Sequence, residues 1–433
     1  MLQDPSMEGL AEPMAEAART VARTLEAAGY RGWIVGGAVR DLALARSPKD
    51  VDMVSAAHPD RVLELFEHTY PIGKAFGIVL VQVAGVDLEL ATFRTESGYS
   101  DVRHPDLIQF AESPQVDARR RDFTCNAMYL DPLNDEVCDP CGGLADLMAG
   151  RLATVGDPQG RFEEDGLRLL RLARFGAQLD LQPAPGLLEA AGQCAQSLLG
   201  VSPERLRAEL EGCLLSGAPA RALELLADAQ LLGACLPWLA EAEGSVAQAQ
   251  DVLGRLGPAA AGPAGWVVLL LAEGEAPDLL GARAEALRFS TTERKAVMRS
   301  ADLASRWAGL SADGTVTSIR ILATREDPWR PAWALARARC ESCGDAGDLD
   351  ALNALGVWRE GLTSEQLRPV PLVGAEELEA AGIPRRGPRW SELIAEAEVE
   401  QLDGTLTASG EVPLWLDKRA EDPGGSAGRQ DPS

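Results

Sequence analysis

The chain has 433 residues, 46% of them hydrophobic and 25% charged, enough for two to four globular domains. Its net charge of −25 argues against a protein that coats nucleic acid non-specifically, because phosphate contacts need Lys and Arg; any nucleic-acid site must be local. Met1 to Leu10 has neither a basic start nor an apolar core, so no secretory signal is expected, and the best apolar run, Trp266 to Ala272, is too short to span a bilayer. These features predict a soluble, cytoplasmic protein.

Residues 7–29 read as an amphipathic helix ended by Gly29. Trp33 to Val35 reads as a short strand stopped by Gly36-Gly37, followed by a helix from Ala38 to Ala45 and a strand over Val51 to Val54. A helix over Pro59 to His68 is expected next. Ile78 to Val83 and Asp87 to Thr92 alternate as a strand hairpin, and Asn126 to Leu130 reads as another strand. Beyond Arg161 the pattern turns helical, with a helix start at Ser202-Pro203-Glu204 and breaks at Gly257-Pro258 and Gly262-Pro263. The expected fold class is α+β: a head with a small mixed sheet, then an all-helical neck, body and tail. The expected boundaries are 1–150 for the head, 151–215 for the neck, 216–300 for the body and 301–416 for the tail. Residues 417–433 are polar and rich in Gly and Pro, and are expected to be disordered.

Chemistry concentrates first around Gly36-Gly37-Ala38-Val39-Arg40-Asp41 and Lys49-Asp50-Val51-Asp52. Two glycines after a strand let backbone N–H groups approach a phosphate, and Arg40, a helical turn on, offers a fork of donors. Asp50 and Asp52, at i and i+2 on a strand, share a face. Two carboxylates on one face suit Mg²⁺ bridging protein and triphosphate, and a two-metal site would activate a hydroxyl and support a leaving group. A glycine turn or an Asp-x-Asp alone is ordinary; their order and closeness make the pattern informative.

GGAVRD followed by PKDVD resembles the signature of the nucleotidyltransferase superfamily, in its branch of class II tRNA nucleotidyltransferases (CCA-adding enzymes) and bacterial poly(A) polymerases. The resemblance implies that Gly37 and Arg40 contact a triphosphate and that Asp50 and Asp52 are catalytic and hold the metals. Glu89, in ELATFR, is a candidate third acidic group against the alternative of a half-exposed strand residue. RRDFTCNA at 120–127 resembles the family's RRDFTxNA and implies nucleotide binding by Arg121 and Asp122. DPCGGLADL at 139–147 resembles DPxGGxxDL. Thr92 to Glu96 with Tyr99, Asp101 and Arg103 resembles the flexible loop of CCA-adding and A-adding enzymes, part of which CC-adding relatives lack.

EDGLRLLR at 164–171 resembles the family's EDxxRxxR. Asp165, Arg168, Arg171 and Arg174 recur every three residues and so fall roughly along one face of a helix. Such a row is ordinarily an exposed amphipathic face. Here a sharper reading exists: cytosine and adenine each present a donor beside an acceptor, whereas guanine and uracil present the reverse order. A carboxylate next to a guanidinium, Asp165 with Arg168, therefore suits C and A, and a mismatch strands buried polar groups at a cost of roughly 1–3 kcal/mol each. Arg171 and Arg174 would face the triphosphate, as the resemblance implies. SPERLRAEL at 202–210 resembles a further family motif and is assigned structural support, with a part in holding the helix that carries Asp165 and Arg168.

The function these motifs imply is template-independent addition of C and A nucleotides to the 3′ end of tRNA from CTP and ATP, with Mg²⁺ as cofactor, no membrane association, and no stable protein partner inferable. Three alternatives stay open: an A-adding enzyme with a separate CC-adding partner, a bacterial poly(A) polymerase, and a non-catalytic RNA-binding protein on the same scaffold. Two CxxC pairs, Cys138/Cys141 and Cys340/Cys343, would have to meet across some two hundred residues to bind zinc, and chance pairs are the better reading.

Overall fold

In the computed structural model the described residues are 3–73, 77–97, 107–272, 274–307, 329–361, 370–383, 389–403 and 405–420. The chain forms two compact units: Met1–Ala261 with Leu269–Glu275 and Ala282–Phe289, and Gly262–Val268 with Ala276–Gly281 and Ser290–Ser433.

The first unit opens with helix α1 (Glu12–Ala27). Its apolar positions recur at helical spacing, so Ala18, Val21, Ala22 and Leu25 are all buried, and the helix packs on β1 (Gly32–Val35) and the later strand β5. The expected start at residue 7 is instead a separate turn of tight helix, Met7–Gly9, because Pro13 sets the first turn of α1. Next come α2 (Gly37–Ala43), β2 (Asp52–Ser55), α3 (Pro59–Leu65), β3 (Thr69–Gly73), β4 (Ile78–Val83) and β5 (Val86–Thr92). Then β6 (Arg94–Ser97) pairs antiparallel with β7 (Leu107–Phe110), and α4 (Pro114–Ala118), β8 (Tyr129–Leu130) and β9 (Val137–Cys138) complete the head's strands. The main sheet runs β3-β4-β5-β2-β1-β8-β9, antiparallel except for the parallel pair β2–β5. Trp33, Val35, Val54, Phe93, Ala127 and Tyr129 form a core on one side of it.

The strand expected over Asn126 to Leu130 is confined to β8, since Thr124–Asn126 form a tight helical turn. The next elements are α5 (Gly143–Met148), β10 (Arg151–Leu152), α6 (Pro158–Glu164) and α7 (Leu167–Leu179). Among the described residues past Arg161 the regular structure is helical as expected, apart from β11 (Gln182–Pro183), which pairs parallel with β10. α8 (Leu187–Gln193), α9 (Pro203–Leu214) and α10 (Pro219–Asp228) follow, and α7 packs on α9 and α10. A helix over Ser245–Leu256 ends at Gly257, where φ is +51°.

In the second unit the helices Thr291–Trp307 and Trp329–Cys343 pack together, and Trp333 donates its indole N–H to the Leu352 carbonyl at 2.7 Å. A separate cluster near the end joins Val373, Leu378, Leu393, Leu406, Trp415 and Leu416. Asp417 to Ala420, expected to be disordered, belong instead to the helix Val412–Ala420; the rest of the segment expected to be disordered lies outside the described residues. Among the described residues no helix is long and apolar enough to cross a membrane.

Candidate active site of the head

β1 ends at Val35 and α2 begins two residues later. The reversal is carried by Gly36, at φ +73° and ψ −127°, a conformation that only glycine adopts cheaply. The same turn brings the Gly36 α-carbon against the Arg121 guanidinium: a Cβ there would lie 3.6 Å from Nη1. Arg40 is buried rather than displayed. Its Nη1 donates to Asn126 Oδ1 at 2.8 Å, and its Nε and Nη2 donate to Asp41 Oδ1 at 3.0 and 2.8 Å.

The carboxylates meet at the start of β2, where Asp52 pairs with Val35 at the edge of the glycine turn. Asp50 and Asp52 are exposed while Val51 between them is buried, so both carboxyls leave on the same side. The strand itself starts at Asp52, so Asp50 stands just before it rather than on it. Parallel pairing sets Asp52 opposite Glu89. Protein packed around the carboxyl, then the Glu89 and Asp50 charges, push the Asp52 pKa up to about 6, against a smaller opposing pull from Arg121. A carboxylate so crowded by like charge is a site for a cation. Among the described residues no group of three His, Cys, Asp and Glu is arranged to hold a metal. Two carboxylates that leave the remaining positions to water and phosphate oxygens do fit Mg²⁺.

Behind this face lies a layer of arginines. Arg121 donates through Nε and Nη2 to Asp117 Oδ2 at 3.1 and 3.0 Å, and through Nε to the Tyr129 hydroxyl at 3.1 Å. Asp117 is fully buried and also accepts from Arg120 Nε at 2.7 Å, Tyr129 Oη at 2.9 Å and the Arg94 backbone N–H at 3.3 Å. These donors outweigh the burial and hold its carboxyl below the usual range. Asp122 accepts from the Phe123 N–H at 2.7 Å, Asn126 Nδ2 at 3.1 Å and Arg171 Nε at 2.7 Å. Burial opposes ionisation, but Arg171 and these hydrogen bonds bring its pKa down to about 2. The DPCGGLADL segment buttresses the layer: Asp139 accepts the Gly143 and Leu144 N–H groups at 2.8 and 2.9 Å, and a Cβ on Gly143 would strike the Thr124 carbonyl at 2.3 Å.

The row Asp165, Arg168, Arg171, Arg174 is not one continuous helix. α6 stops at Glu164, Asp165 is extended at φ −146°, and α7 starts at Leu167. Gly166, next in the chain, is packed with its α-carbon against Ser197; a Cβ there would lie 2.4 Å from its carbonyl oxygen. Asp165 and Arg168 are not bonded side chain to side chain. Asp165 accepts Arg205 Nη2 at 2.8 Å and the Leu167 N–H at 3.0 Å. Arg168 is buried and donates through Nη1 to Glu164 at 2.6 Å and the Arg161 carbonyl at 2.9 Å, and through Nη2 to the Arg120 carbonyl at 3.2 Å. Arg171 reaches Asp122 and Glu209, and Arg174 Nε lies 3.2 Å from Glu209 Oε2.

The structure thus groups Gly37, Arg40, Arg121, Asp122 and Arg171 through Asn126 and Asp117, and sets Asp50, Asp52 and Glu89 together. The sequence reading passed over Asp117, Tyr129 and Phe175, and took in Arg205 only as part of the supporting SPERLRAEL segment, which the Arg205–Asp165 bond agrees with. An Asp three and four residues before Arg120 and Arg121 was a usable signal for the first; the others depend on contacts distant in sequence. Tyr99, Asp101 and Arg103 lie outside the described residues.

Residues 32–153 match the family model described as "Poly A polymerase head domain", and residues 180–243 match "Probable RNA and SrmB- binding site of polymerase A". The chain is 42% identical over 211 residues to a CCA-adding enzyme of Bacillus pumilus (strain SAFR-032), covering 49% of this chain and 52% of that relative. It is 38% identical over 262 residues to a CCA-adding enzyme of Geobacillus sp. (strain WCH70), covering 60% and 64%. The chain spans about half the length of the curated relatives it matches. Its fold is shared over almost the whole chain with the Bacillus stearothermophilus CCA-adding enzyme in complex with CTP, at TM-score 0.76, 24% identity and 95% and 98% coverage. The Thermotoga maritima CCA-adding enzyme complexed with tRNA superposes at TM-score 0.69, 17% identity and 94% and 95% coverage. The α+β head followed by helical neck, body and tail is therefore the fold of this chain.

Proposed function

We propose that this chain, which carries a poly A polymerase head domain and the adjoining RNA-binding segment, adds C and A nucleotides to the 3′ end of tRNA from CTP and ATP and releases pyrophosphate. The observation that carries the reading is the juxtaposition of Asp50, Asp52 and Glu89 beside a glycine turn backed by arginines. Asp50 and Asp52 would hold Mg²⁺, which when bound supplies charge neutralisation at the attacking hydroxyl and the leaving pyrophosphate. Gly36 and Gly37 let the start of α2 approach the triphosphate. Arg121 presents a charge whose orientation Asp117 fixes, and Arg171 is fixed in the same way by Asp122. Catalysis is then mostly positioning and charge stabilisation.

Base selection would use the Asp165 carboxylate, oriented by Arg205 and the Leu167 N–H, as acceptor for the exocyclic amino group of C or A. Arg168 would donate through its Nε edge, because its Nη atoms are engaged with Glu164 and two carbonyls. We assign residues 1–150 as catalytic head, 151–215 as neck, 216–300 as body and 301–416 as the tRNA-binding tail, and place the enzyme in the cytoplasm.

The test is to incubate the protein with Mg²⁺, single labelled nucleotides and tRNA ending at the discriminator base, at C, or at CC. Addition of C, C and A supports the reading. Addition of A to tRNA-CC alone makes it an A-adding enzyme, and long A tails on unrelated RNA make it a poly(A) polymerase. Asp50→Ala is expected to abolish all addition with folding intact; full residual activity would overturn the metal assignment.

A further inference from the structure

Three arginines from two different helices converge on one aromatic ring. The guanidinium carbons of Arg40, Arg171 and Arg174 lie 5.4, 5.0 and 4.7 Å from the Phe175 ring centroid. The ring is 5% exposed, and the Phe123 ring meets it edge to face at 5.8 Å. Three like charges gathered in a buried place repel one another. The negative potential of an aromatic face helps to hold them beside the carboxylates of Asp41, Asp122 and Glu209, because it attracts cations without adding a further negative charge that would compete with phosphate.

The three guanidiniums are not equally satisfied. Arg40 is bonded to Asn126 and Asp41, and Arg171 to Asp122 and Glu209. Arg174 Nε and Glu209 Oε2 face each other at 3.2 Å, yet both are buried and neither completes a hydrogen bond. Burial also lowers the Arg174 pKa, so its charged form lacks full compensation. The side chain is nevertheless closely confined: Gly212 of α9 lies so close that a Cβ there would sit 2.4 Å from Arg174 Cδ. A confined, under-compensated guanidinium beside two fixed ones is arranged to receive an anion.

We propose that Phe175 is a positioning residue for polyphosphate: its ring, with the Gly212 slot, aligns Arg174 beside Arg40 and Arg171 so that an incoming triphosphate meets a prearranged guanidinium rack. The role rests on the nucleotidyltransferase reading for its substrate, but the rack itself is testable without catalysis. Phe175 touches no reacting atom; it acts through the arginines.

The experiment uses the full chain and two readouts. The first is calorimetric binding of inorganic tripolyphosphate without RNA; the second is KM and kcat for CTP and ATP on tRNA. Phe175→Leu is expected to weaken tripolyphosphate binding and raise both KM values about tenfold with kcat little changed, and Phe175→Tyr to restore both. Pentafluorophenylalanine at position 175 keeps the ring's shape and reverses its potential. It is expected to weaken binding as Leu does while leaving the melting temperature near wild type, and it decides the matter if the Leu variant fails to fold. Wild-type tripolyphosphate affinity in the fluorinated protein overturns the proposal. A wild-type protein that transfers no nucleotide, yet loses tripolyphosphate on these changes, overturns the assigned activity and leaves the rack intact.

Discussion

Asp117→Asn is the sharpest test of the arginine layer. The wild-type carboxylate is fully buried and accepts from Arg120, Arg121, Tyr129 and the Arg94 N–H, every one a donor. An amide of the same shape keeps one acceptor oxygen and turns two N–H groups into this ring of donors, so at least one buried guanidinium loses its counter-charge. Breaking a buried pair by neutralising one partner costs about 3–5 kcal/mol. For a unit of this size that lowers the melting midpoint by about 6–15 °C. The assay is thermal unfolding followed by near-UV circular dichroism at neutral pH. Because the folded pKa of Asp117 is depressed, its stabilisation is present above the unfolded carboxylate range and is lost as pH falls below it. The gap between wild type and variant should therefore narrow in acid. A neutral-pH shift below about 2 °C, or a gap that widens in acid, would refute the reasoning.

Asp52→Asn should do the opposite to stability. The raised pKa means the charged form is disfavoured in the folded protein, a cost fully present above about 6 and fading toward the unfolded value of 3.8. Because Asp52 is exposed, solvent screening discounts the effect: without divalent cations at pH 8 the variant should melt about 1–2 °C higher, with no difference near pH 4 and no nucleotide transfer. Asp122 titrates the other way, down to about 2, so it should contribute about 2 kcal/mol above pH 3.8 that is lost between 3.8 and 2; acid titration of wild type against Asp122→Asn by urea unfolding checks it. Gly166→Ala drives a Cβ into the Ser197 carbonyl and should displace the α6–α7 break, relaxing discrimination of C and A against U and G more than it lowers kcat; unchanged misincorporation would count against Asp165 as the base acceptor. Arg205→Leu removes the donor that orients Asp165 and is expected to show the same loss of discrimination, read in single-nucleotide addition assays.

What was legible in the sequence is what local spacing encodes. The alternation of Ile78 to Val83 and Asp87 to Thr92 gave β4 and β5, because side chains on a strand repeat every two residues. Gly36-Gly37 marked the turn between β1 and α2, since the φ of Gly36 is open to glycine and to little else, and the spacing of Asp50 and Asp52 about buried Val51 put both on one side. The row from Asp165 to Arg174 also read correctly as spacing but misled as geometry. Helical periodicity is continuous through Gly166, but Asp165 is extended and Gly166 packs against Ser197, 31 residues away in the chain, a contact no local pattern contains. The same holds for every contact that gives the site its electrostatics. Parallel pairing brings Glu89 to Asp52, Arg205 reaches Asp165 from α9, Asn126 meets Arg40 where its turn packs on α2, and Phe175 gathers arginines from α2 and α7. Residue types and periods determined which groups could bind a nucleotide; only packing between distant segments decided which carboxylate holds which arginine, because that depends on where a Cβ or a carbonyl leaves room.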